Sequence, residues 1–235
     1  MLMTNILVAI ACYGGNMKVQ CAVSLVALCS NFAARGVLFE IRYRDSADVA
    51  ANRNHLASIA LSQPERTHLL FIDSDMEFRP QTVFRMLQLD RPIIGCVYPK
   101  RRPASSSLED FVVNVGEQTR LHVLNGICQV AGVGMGLTLV HRTVLEQMVG
   151  TGELRQWRPD RSGPPHYGFF DPIATKTNYT SEDLSFCNRW TELCNGEICA
   201  LVDEEIGHVG EFTYKARLLD HVGGMRGGSN QKPLP

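Results

Sequence analysis

The chain has 235 residues, of which 45% are hydrophobic and 20% are charged, and its formal net charge is −1. This balance is typical of a globular protein, and the near-zero charge argues against a nucleic-acid binder that relies on general electrostatic attraction. The sequence has no apolar run of the roughly 20 residues that a membrane helix needs, and its start lacks the positive region of a signal peptide. We therefore expect a chain without a transmembrane segment, for which peripheral membrane association stays open.

The eight cysteines form no C-x-x-C pair, which argues against a zinc ribbon. Most of them lie inside apolar runs, where a free thiol packs as a small hydrophobic group. We expect reduced thiols and a cytoplasmic protein. A metal site at Cys187, Cys194 and Cys199 is the weaker alternative, because their spacing matches no common zinc pattern.

The first hundred residues alternate between strand and helix patterns. Short apolar runs predict strands at 5–12, 37–43, 68–73 and 92–99, and helical spacing of apolar residues predicts helices at 17–35, 46–63 and 80–89. Gly36 is a suitable residue to end the first helix, Ser46 to cap the second, and Pro80 to begin the third. This alternation predicts a parallel α/β sheet.

The pattern changes after residue 100, where closely spaced strand candidates predict an antiparallel portion. They lie at 111–115, 120–124, 127–131 and 136–141. Residues 151–180 are rich in glycine, proline and aromatic residues and predict a long loop that forms a lid or substrate wall. A helix at 180–194 and a strand at 197–203 follow, and residues 223–235 have the composition of a flexible tail.

Asp73 and Asp75 directly follow the apolar run of the third strand. In an open parallel sheet, ligands bind outside the carboxyl ends of the strands. If the chain stays extended, both carboxylates reach one side, where a divalent cation would remove their repulsion and bridge to a diphosphate. Oxygen ligands favour Mg²⁺ or Mn²⁺.

Taken alone, a D-x-D pattern is more often a turn with solvated acids. Phosphatases of the haloacid dehalogenase type also carry it, but with Gly-Thr where this chain has Met76-Glu77.

Seven segments, taken in order, resemble the GT-A glycosyltransferases of the family 2 type, which use nucleotide sugars. They are IACYGG (10–15), ANRNHLASIAL (51–61), THLLFIDSDMEFRPQTVFRML (67–87), PIIGCVYPKR (92–101), VAGVGMGLTLVHR (130–142), SEDLSFCNRW (181–190) and IGHVG (206–210). The resemblance implies the α/β GT-A fold, a mixed and mostly parallel sheet flanked by helices with a smaller antiparallel portion on the acceptor side. It implies one domain over residues 1–222, with a nucleotide-binding half at 1–100 and an acceptor-binding half at 101–222.

The resemblance also implies a reaction and a set of residues that carry it. A metal-dependent enzyme would move a sugar from a UDP- or GDP-sugar to a hydroxyl of a glycan, glycolipid or other acceptor. Asp183 would activate that hydroxyl while Glu182 orients it, and Mn²⁺ or Mg²⁺ would bind Asp73, Asp75 and His208. The implied nucleotide contacts are Ala11, Tyr13, Arg53, Asn54, Ser74, Lys100 and Arg101, and the implied acceptor contacts are Gly134, Met135, Gly136, Tyr167, Phe170 and Asp171.

Each of these motifs also has a structural explanation. Glu182 and Asp183 fit the first turn of a helix capped by Thr180, where the helix dipole would lower the pKa of Asp183 and make it a weak base. Arg53 could form a surface ion pair instead of a bidentate contact to phosphate, and the basic cluster at 100–102 could be a solvated face. His208 could be structural, or it could contact the diphosphate instead of the metal.

The glycines of GVGMG (132–136) lie too late in the chain for a dinucleotide fingerprint and would instead let a sugar approach the backbone. The aromatic residues of 151–180 could stack on an acceptor sugar or could pin the loop. Two other functions stay open: a non-catalytic binder of nucleotide sugars or glycans, and a metal-dependent phosphohydrolase. Direct displacement with inversion suits a single activating acid, although the sequence carries no stereochemical marker.

Overall fold

The computed structural model describes residues 3–102, 107–117 and 121–221, and its centre is a seven-stranded sheet. The strands of that sheet are β1 (Asn5–Cys12), β2 (Leu38–Asp45), β3 (His68–Ile72), β5 (Ile93–Cys96), β7 (Ile127–Val130), β9 (Leu137–His141) and β14 (Ile198–Leu201). The remaining short strands are β4 (Met76–Glu77), β6 (Val113–Asn114), β8 (Gly132–Val133), β10 (Gln156–Trp157), β11 (His166–Tyr167), β12 (Ile173–Ala174), β13 (Tyr179–Thr180), β15 (Ile206–Val209) and β16 (Thr213–Ala216). The helices are α1 (Val19–Ala34), α2 (Val49–Ser62), α3 (Pro80–Leu89), α4 (Arg142–Gly150), α5 (Glu182–Cys194) and α6 (Leu218–His221).

The central sheet has the spatial order β2-β1-β3-β9-β5-β14-β7. Strand β1 is parallel to β2 and β3, and β14 is parallel to β5, whereas β9 is antiparallel to both β3 and β5. Strand β7 is antiparallel to β14 at one edge. The predicted fold class, a mixed and mostly parallel sheet flanked by helices, is confirmed. Two of the expected antiparallel strands, β7 and β9, belong to the central sheet, whereas β6 pairs with β8 in a separate two-stranded sheet.

Two of the three predicted helix boundaries are confirmed. Helix α3 begins at Pro80, and Gly36 follows the end of α1 with a φ of 69°. The predicted cap of α2 is wrong: Asp48 is the N-cap, and its Oδ1 accepts a hydrogen bond of 2.9 Å from the N–H of Ala51. Ser46 lies outside the helix, where its Oγ accepts from the N–H of Asp48.

The second half contains more regular structure than its sequence suggests. Helix α4 and the short strands within 151–180 were not expected. A strand at 120–124 is not formed in the described part, 121–124, where only Leu124 makes a bridge, to Ile127. Asn125 and Gly126, both at positive φ, form the tight turn that joins Leu124 to Ile127. The expected tail at 223–235 lies outside the described residues.

Side chains of the central strands alternate between two hydrophobic layers. Leu7 and Phe71 pack on the side of α2, α4 and α5, and Val8 and Leu70 pack on the side of α1 and α3. This period of two lets every β1 and β3 residue from 6 to 10 and from 69 to 72 be buried. Burial on both faces leaves the strand ends as the place for polar groups. No helix in residues 3–102, 107–117 or 121–221 has the length and apolarity to cross a membrane.

Candidate active site

The chain turns at Asp73, and the two acids of the D-x-D motif take different protein partners. The N–H of Met76 donates to the carbonyl oxygen of Asp73 at 3.2 Å and closes this turn. The chain is therefore not extended here as expected, although both aspartates line the same cavity. Asp73 faces α2, and Asp75 faces β15, which pairs with β4 directly after the motif.

Asp73 binds a buried arginine. Arg53 Nη1 donates to Asp73 Oδ1 at 2.9 Å and Nη2 donates to Oδ2 at 3.3 Å. The Arg53 side chain is 3% exposed, so it is neither a surface ion pair nor open to solvent. Burial disfavours its charge, but Asp183 and Asp73 outweigh burial and raise the pKa of Arg53.

Asp75 lies between a histidine and an arginine. His208 Nε2 is 3.4 Å from Asp75 Oδ2, and Arg101 Nη2 contacts the same oxygen. The pairing of β15 with β4 places His208 opposite Met76, which explains how residues so far apart in sequence meet. His208 Nδ1 is 2.9 Å from the carbonyl oxygen of Pro99, and since a carbonyl only accepts, Nδ1 carries the proton.

The His208 ring therefore presents a lone pair to a carboxylate. Burial lowers the pKa of His208, and the nearby Arg101 charge lowers it further, against the opposing effects of the Pro99 carbonyl and Asp73. In the neutral ring with its proton on Nδ1, Nε2 is an acceptor facing the acceptor oxygen of Asp75. Two facing acceptors repel unless a cation or donor lies close by, and in this structure the Arg101 guanidinium contacts the Asp75 oxygen.

Asp183 lies in the first turn of α5 and contacts both Arg53 and the glycine-rich segment. Its Oδ2 accepts from the N–H of Met135 at 3.1 Å, and its Oδ1 lies 3.1 Å from Arg53 Nε. The angle of the second contact is unfavourable for a hydrogen bond. Arg53 Nε and Asp183 Oδ1 therefore have no hydrogen-bond partner among the described residues. Glu182 lies farther from the same arginine, with its Oε1 3.9 Å from Arg53 Nε.

Burial makes Asp183 a better base than its helix position suggests. Burial, together with the charges of Glu182 and Asp73, raises the pKa of Asp183 to about 7, against the opposing effects of Arg53 and the Met135 N–H. The expected lowering by the helix N-terminus is therefore wrong, because desolvation outweighs it. The predicted cap is also wrong: Ser181 precedes the helix without a side-chain cap, and the Thr180 carbonyl accepts from Ser185 Oγ.

The glycines of GVGMG make room for a tyrosine of this chain. A Cβ on Gly134 would lie 2.4 Å from the Tyr98 hydroxyl oxygen, and a Cβ on Gly136 would lie 2.7 Å from it. The N–H of Gly136 donates to that oxygen at 3.2 Å. The space expected for a sugar is thus filled by Tyr98, and the Met135 side chain is buried in the core. Burial and the charges of Asp73 and Asp183 raise the pKa of Tyr98.

Two cavities next to Asp75 collect most of the predicted nucleotide contacts. One, of about 190 Å³, is lined by residues that include Ala11, Tyr13, Arg53, Asp73, Ser74 and Asp75. The other, of about 440 Å³, shares Tyr13, Ser74 and Asp75 and adds Asn16, Met17, Lys18 and Arg101. Lys100 is exposed and lines neither of them.

Asn54 does not face these cavities. Its Nδ2 donates to Asp171 Oδ1 at 2.8 Å, and its Oδ1 accepts from the N–H of Phe170 at 2.6 Å. Arg155 also binds Asp171 through Nε at 2.6 Å and Nη2 at 2.9 Å. Hydrogen bonds from Arg155, opposed by burial, lower the pKa of Asp171, with Asn54 contributing to the lowering.

These contacts tie the loop at 151–180 to α2. Phe170 is fully buried, and its ring stacks on Phe186 at 4.4 Å and meets Phe71 edge-on at 5.3 Å. Its position matches the alternative in which the aromatic residues pin the loop. Tyr167 is half-buried, and its N–H donates to Ser58 Oγ at 2.9 Å.

The Asp75 position fits a divalent cation in part. A carboxylate oxygen and a neutral imidazole nitrogen are suitable donors for Mn²⁺, and for Mg²⁺ through the carboxylate. The described ranges contain no group of three or more His, Cys, Asp or Glu side chains that converge as a metal site. Both oxygens of Asp73 already bind Arg53, so Asp75 and His208 are the better-placed ligands, with Arg101 displaced and the remaining ligands supplied by substrate, by water or by a second lone pair of Asp73.

Several residues at the site were not singled out from the sequence. Tyr98, Lys18 and Asn16 carry no local motif, and Arg155 lies in an irregular stretch. One feature of the sequence could have indicated Tyr98: it is a tyrosine at the end of a buried strand, and the chain also contains a glycine-rich segment against which its ring could pack.

Comparisons with known proteins show the fold only. No protein-family model matches the chain, and no curated protein matches it. Among solved structures, A197 from STIV has a TM-score of 0.54 at 17% identity, with 88% of this chain and 86% of that chain covered. S. aureus TarS 1-349 has a TM-score of 0.43 at 14% identity, with 94% and 63% covered. A glycosyltransferase involved in the glycosylation of the major capsid of PBCV-1 has a TM-score of 0.35 at 12% identity, with 60% and 62% covered. The chain spans less than two thirds of the latter two, and its mixed α/β fold is similar to that of A197.

Proposed function

We propose that this chain is a metal-dependent glycosyltransferase that moves a sugar from a nucleoside diphosphate donor to a hydroxyl of a glycan, glycolipid or other acceptor, with inversion. The observation that carries the proposal is the pair formed by His208 Nε2 and Asp75 Oδ2 beside the two cavities. A buried acid of raised pKa, Asp183, is joined to the same D-x-D segment through Arg53.

Asp183 is the proposed base. It would accept the proton of the acceptor hydroxyl as that oxygen attacks the anomeric carbon, while the bond to the diphosphate breaks and its electron pair leaves with the diphosphate. A pKa near 7 suits a base that works at neutral pH. Its Oδ2 accepts from the Met135 N–H and its Oδ1 faces Arg53 Nε at 3.1 Å, and the side chain keeps 18% exposure, through which an acceptor hydroxyl would reach the carboxylate.

The donor would lie along the cavities next to Asp75. Ala11, Tyr13 and Ser74 line the walls that would surround the nucleoside, and Arg101, with Lys100 nearby in sequence, would contact the phosphate oxygens. Mn²⁺ or Mg²⁺ held by Asp75 and His208 would supply positive charge to the leaving diphosphate.

The test is thermal unfolding of the protein with a panel of UDP- and GDP-sugars, each with and without Mn²⁺. We expect one donor to stabilise the fold only when Mn²⁺ is present, by about 2.7 kcal/mol at a hundredfold excess over its Kd. Asp183→Asn should keep this stabilisation and lose sugar transfer. Metal-dependent stabilisation without turnover in either form would indicate a non-catalytic binder. Phosphate release from simple phosphoesters, without consumption of a nucleotide sugar, would indicate a phosphohydrolase.

A further inference from the structure

One buried cation is shared by acids from both halves of the chain. Arg53, on α2, contacts Asp73 after β3 and also Asp183 and Glu182 at the start of α5. No other cation in the described part of the chain forms an ion pair with these three acids. The cluster therefore depends on a single guanidinium for its positive charge.

Every nitrogen of that guanidinium faces a carboxylate. Nη1 and Nη2 bind the two oxygens of Asp73 at 2.9 and 3.3 Å, and Nε faces Asp183 Oδ1 at 3.1 Å. The side chain is 3% exposed, and the Phe71 ring lies 5.7 Å from its central carbon. Carboxylates therefore surround the guanidinium, and Asp73 and Asp183 would repel a phosphate group that approached it through the small cavity it lines.

We infer that Arg53 is a positioning residue that holds the donor-side Asp73 and the acceptor-side Asp183 in fixed relation, and that it is not a phosphate ligand. The inference rests on the proposed glycosyl transfer. Only a planar fork can bind both oxygens of Asp73 and still direct a third nitrogen at Asp183. A lysine ammonium at this position can reach one acid well but cannot bridge them in this geometry.

The loss of Arg53 should affect the chemical step more than donor binding. Without the guanidinium, three half-buried acids would lie close together, and Asp183 would lose both its orientation and the opposing charge. We expect Arg53→Ala to lower kcat by at least about 100-fold, the contribution of a positioned general base, with the donor KM changed less than about threefold. Arg53→Lys should show the same pattern to a smaller degree.

Chemical rescue distinguishes this role from a purely structural one. Guanidinium ion added at millimolar concentration should restore at least about tenfold of the kcat lost in Arg53→Ala, because it returns a planar cation to the site. Urea, which has a similar shape without the charge, should restore nothing. The same additions to the wild type correct for denaturant effects, and thermal unfolding reports whether each variant is folded.

The control variant is Arg142→Ala. Arg142 supports the end of the same helix, where its guanidinium donates to the carbonyl oxygens of Ala60, Leu61 and Gln63 at 2.7–3.1 Å. Arg142→Ala should lower the melting temperature while leaving kcat near the wild-type value and insensitive to guanidinium.

Four results would overturn the inference. A raised donor KM with unchanged kcat in Arg53→Lys would make Arg53 a phosphate ligand, and equal rescue by urea and guanidinium would reduce its role to filling space. If Arg53→Ala fails to fold, Arg53→Lys remains the test, and a wild-type kcat in that folded variant would contradict the inference. These outcomes leave the proposed function intact. Absence of turnover by the wild type with every donor would instead remove the proposed function, and this inference with it.

Discussion

His208 Nε2 lies 3.4 Å from Asp75 Oδ2, and with the ring proton on Nδ1 these two atoms are both acceptors. Such a pair is stable only with a cation or donor between them, which connects the late strand β15 to the D-x-D motif chemically as well as structurally. The strongest test of the site therefore lies in these two side chains.

Asp75→Asn should remove most of the stabilisation that Mn²⁺ and the nucleotide sugar give together, because the amide lacks the charge that holds the cation. We expect the shift in melting temperature with both ligands to fall to that seen with the sugar alone. Glu146→Gln is the matched control, since this acid lies on α4 and pairs with Arg142. An undiminished shift in Asp75→Asn would contradict the assignment.

Arg101→Ala should have opposite effects on metal and donor. Arg101 contacts the Asp75 oxygen that the cation would need, so its removal should tighten the binding of Mn²⁺ alone. The same change should weaken the donor, by up to about tenfold for one exposed phosphate contact. Isothermal titration with Mn²⁺, and then with the donor in excess Mn²⁺, measures both. Lys100→Ala is the control and should leave Mn²⁺ affinity unchanged. Weaker Mn²⁺ binding by Arg101→Ala would contradict the idea that Arg101 and the cation compete for Asp75.

The pH dependence of kcat/KM should reflect Asp183 in the free protein. Burial raises the pKa of its carboxyl to about 7, and only the deprotonated form can accept a proton. The value of kcat/KM should therefore rise with pH through neutrality to a plateau, and one pH unit below the midpoint it should be about tenfold below that plateau. Initial rates at donor concentrations well below KM, in buffers across the neutral range, provide the measurement. A profile that is flat there would show that Asp183 does not titrate in the rate-limiting step.

Phe170→Ala should destabilise the fold by about 3–5 kcal/mol, the usual cost of removing a buried aromatic ring. Phe170 is fully buried, whereas Phe212 is 70% exposed, so Phe212→Ala should change stability by less than about 0.5 kcal/mol. Urea unfolding of the two variants gives the comparison. A stable Phe170→Ala protein with a raised acceptor KM would instead support the sugar-stacking role.

Gly136→Ala should destabilise by about 1–3 kcal/mol, because its Cβ would lie 2.7 Å from the Tyr98 hydroxyl oxygen in a packed core. Gly150, in the last turn of α4, has no atom within 4 Å of an added Cβ. Gly150→Ala should therefore be neutral or stabilising by up to about 1 kcal/mol through helix propensity. Equal stabilities of the two variants would mean that the Tyr98 side chain can move aside at little cost in free energy.

The sequence predicted best where local patterns decide the structure. Continuous apolar runs defined β1, β3 and β5 because strands buried on both faces need them, and Pro80 and Gly36 marked helix ends for stereochemical reasons. The D-x-D motif and the Glu182-Asp183 pair both lie at the candidate site. Local patterns could not reveal that Asp73 turns towards Arg53, because that ion pair joins distant elements.

The expected pKa of Asp183 and the expected partner of the GVGMG glycines were wrong because both depend on contacts between residues distant in sequence. The pKa of Asp183 depends on burial against segments far away in sequence, which outweighs the helix dipole visible in its own turn. The glycines of GVGMG were correctly singled out for close approach, but the partner is Tyr98, which no spacing rule connects to them.

The insertion of β9 between β3 and β5 means that the N-terminal half cannot form its sheet on its own. A fragment that stops near residue 100 would leave a strand-wide gap between β3 and β5, with unpaired backbone groups on both sides of it. The halves assigned to nucleotide and acceptor are thus inseparable in folding. Strands β2, β1 and β3 pair directly with one another, but β5 can join them only after residues 137–141 have been synthesised, which predicts slow, non-local completion of the sheet.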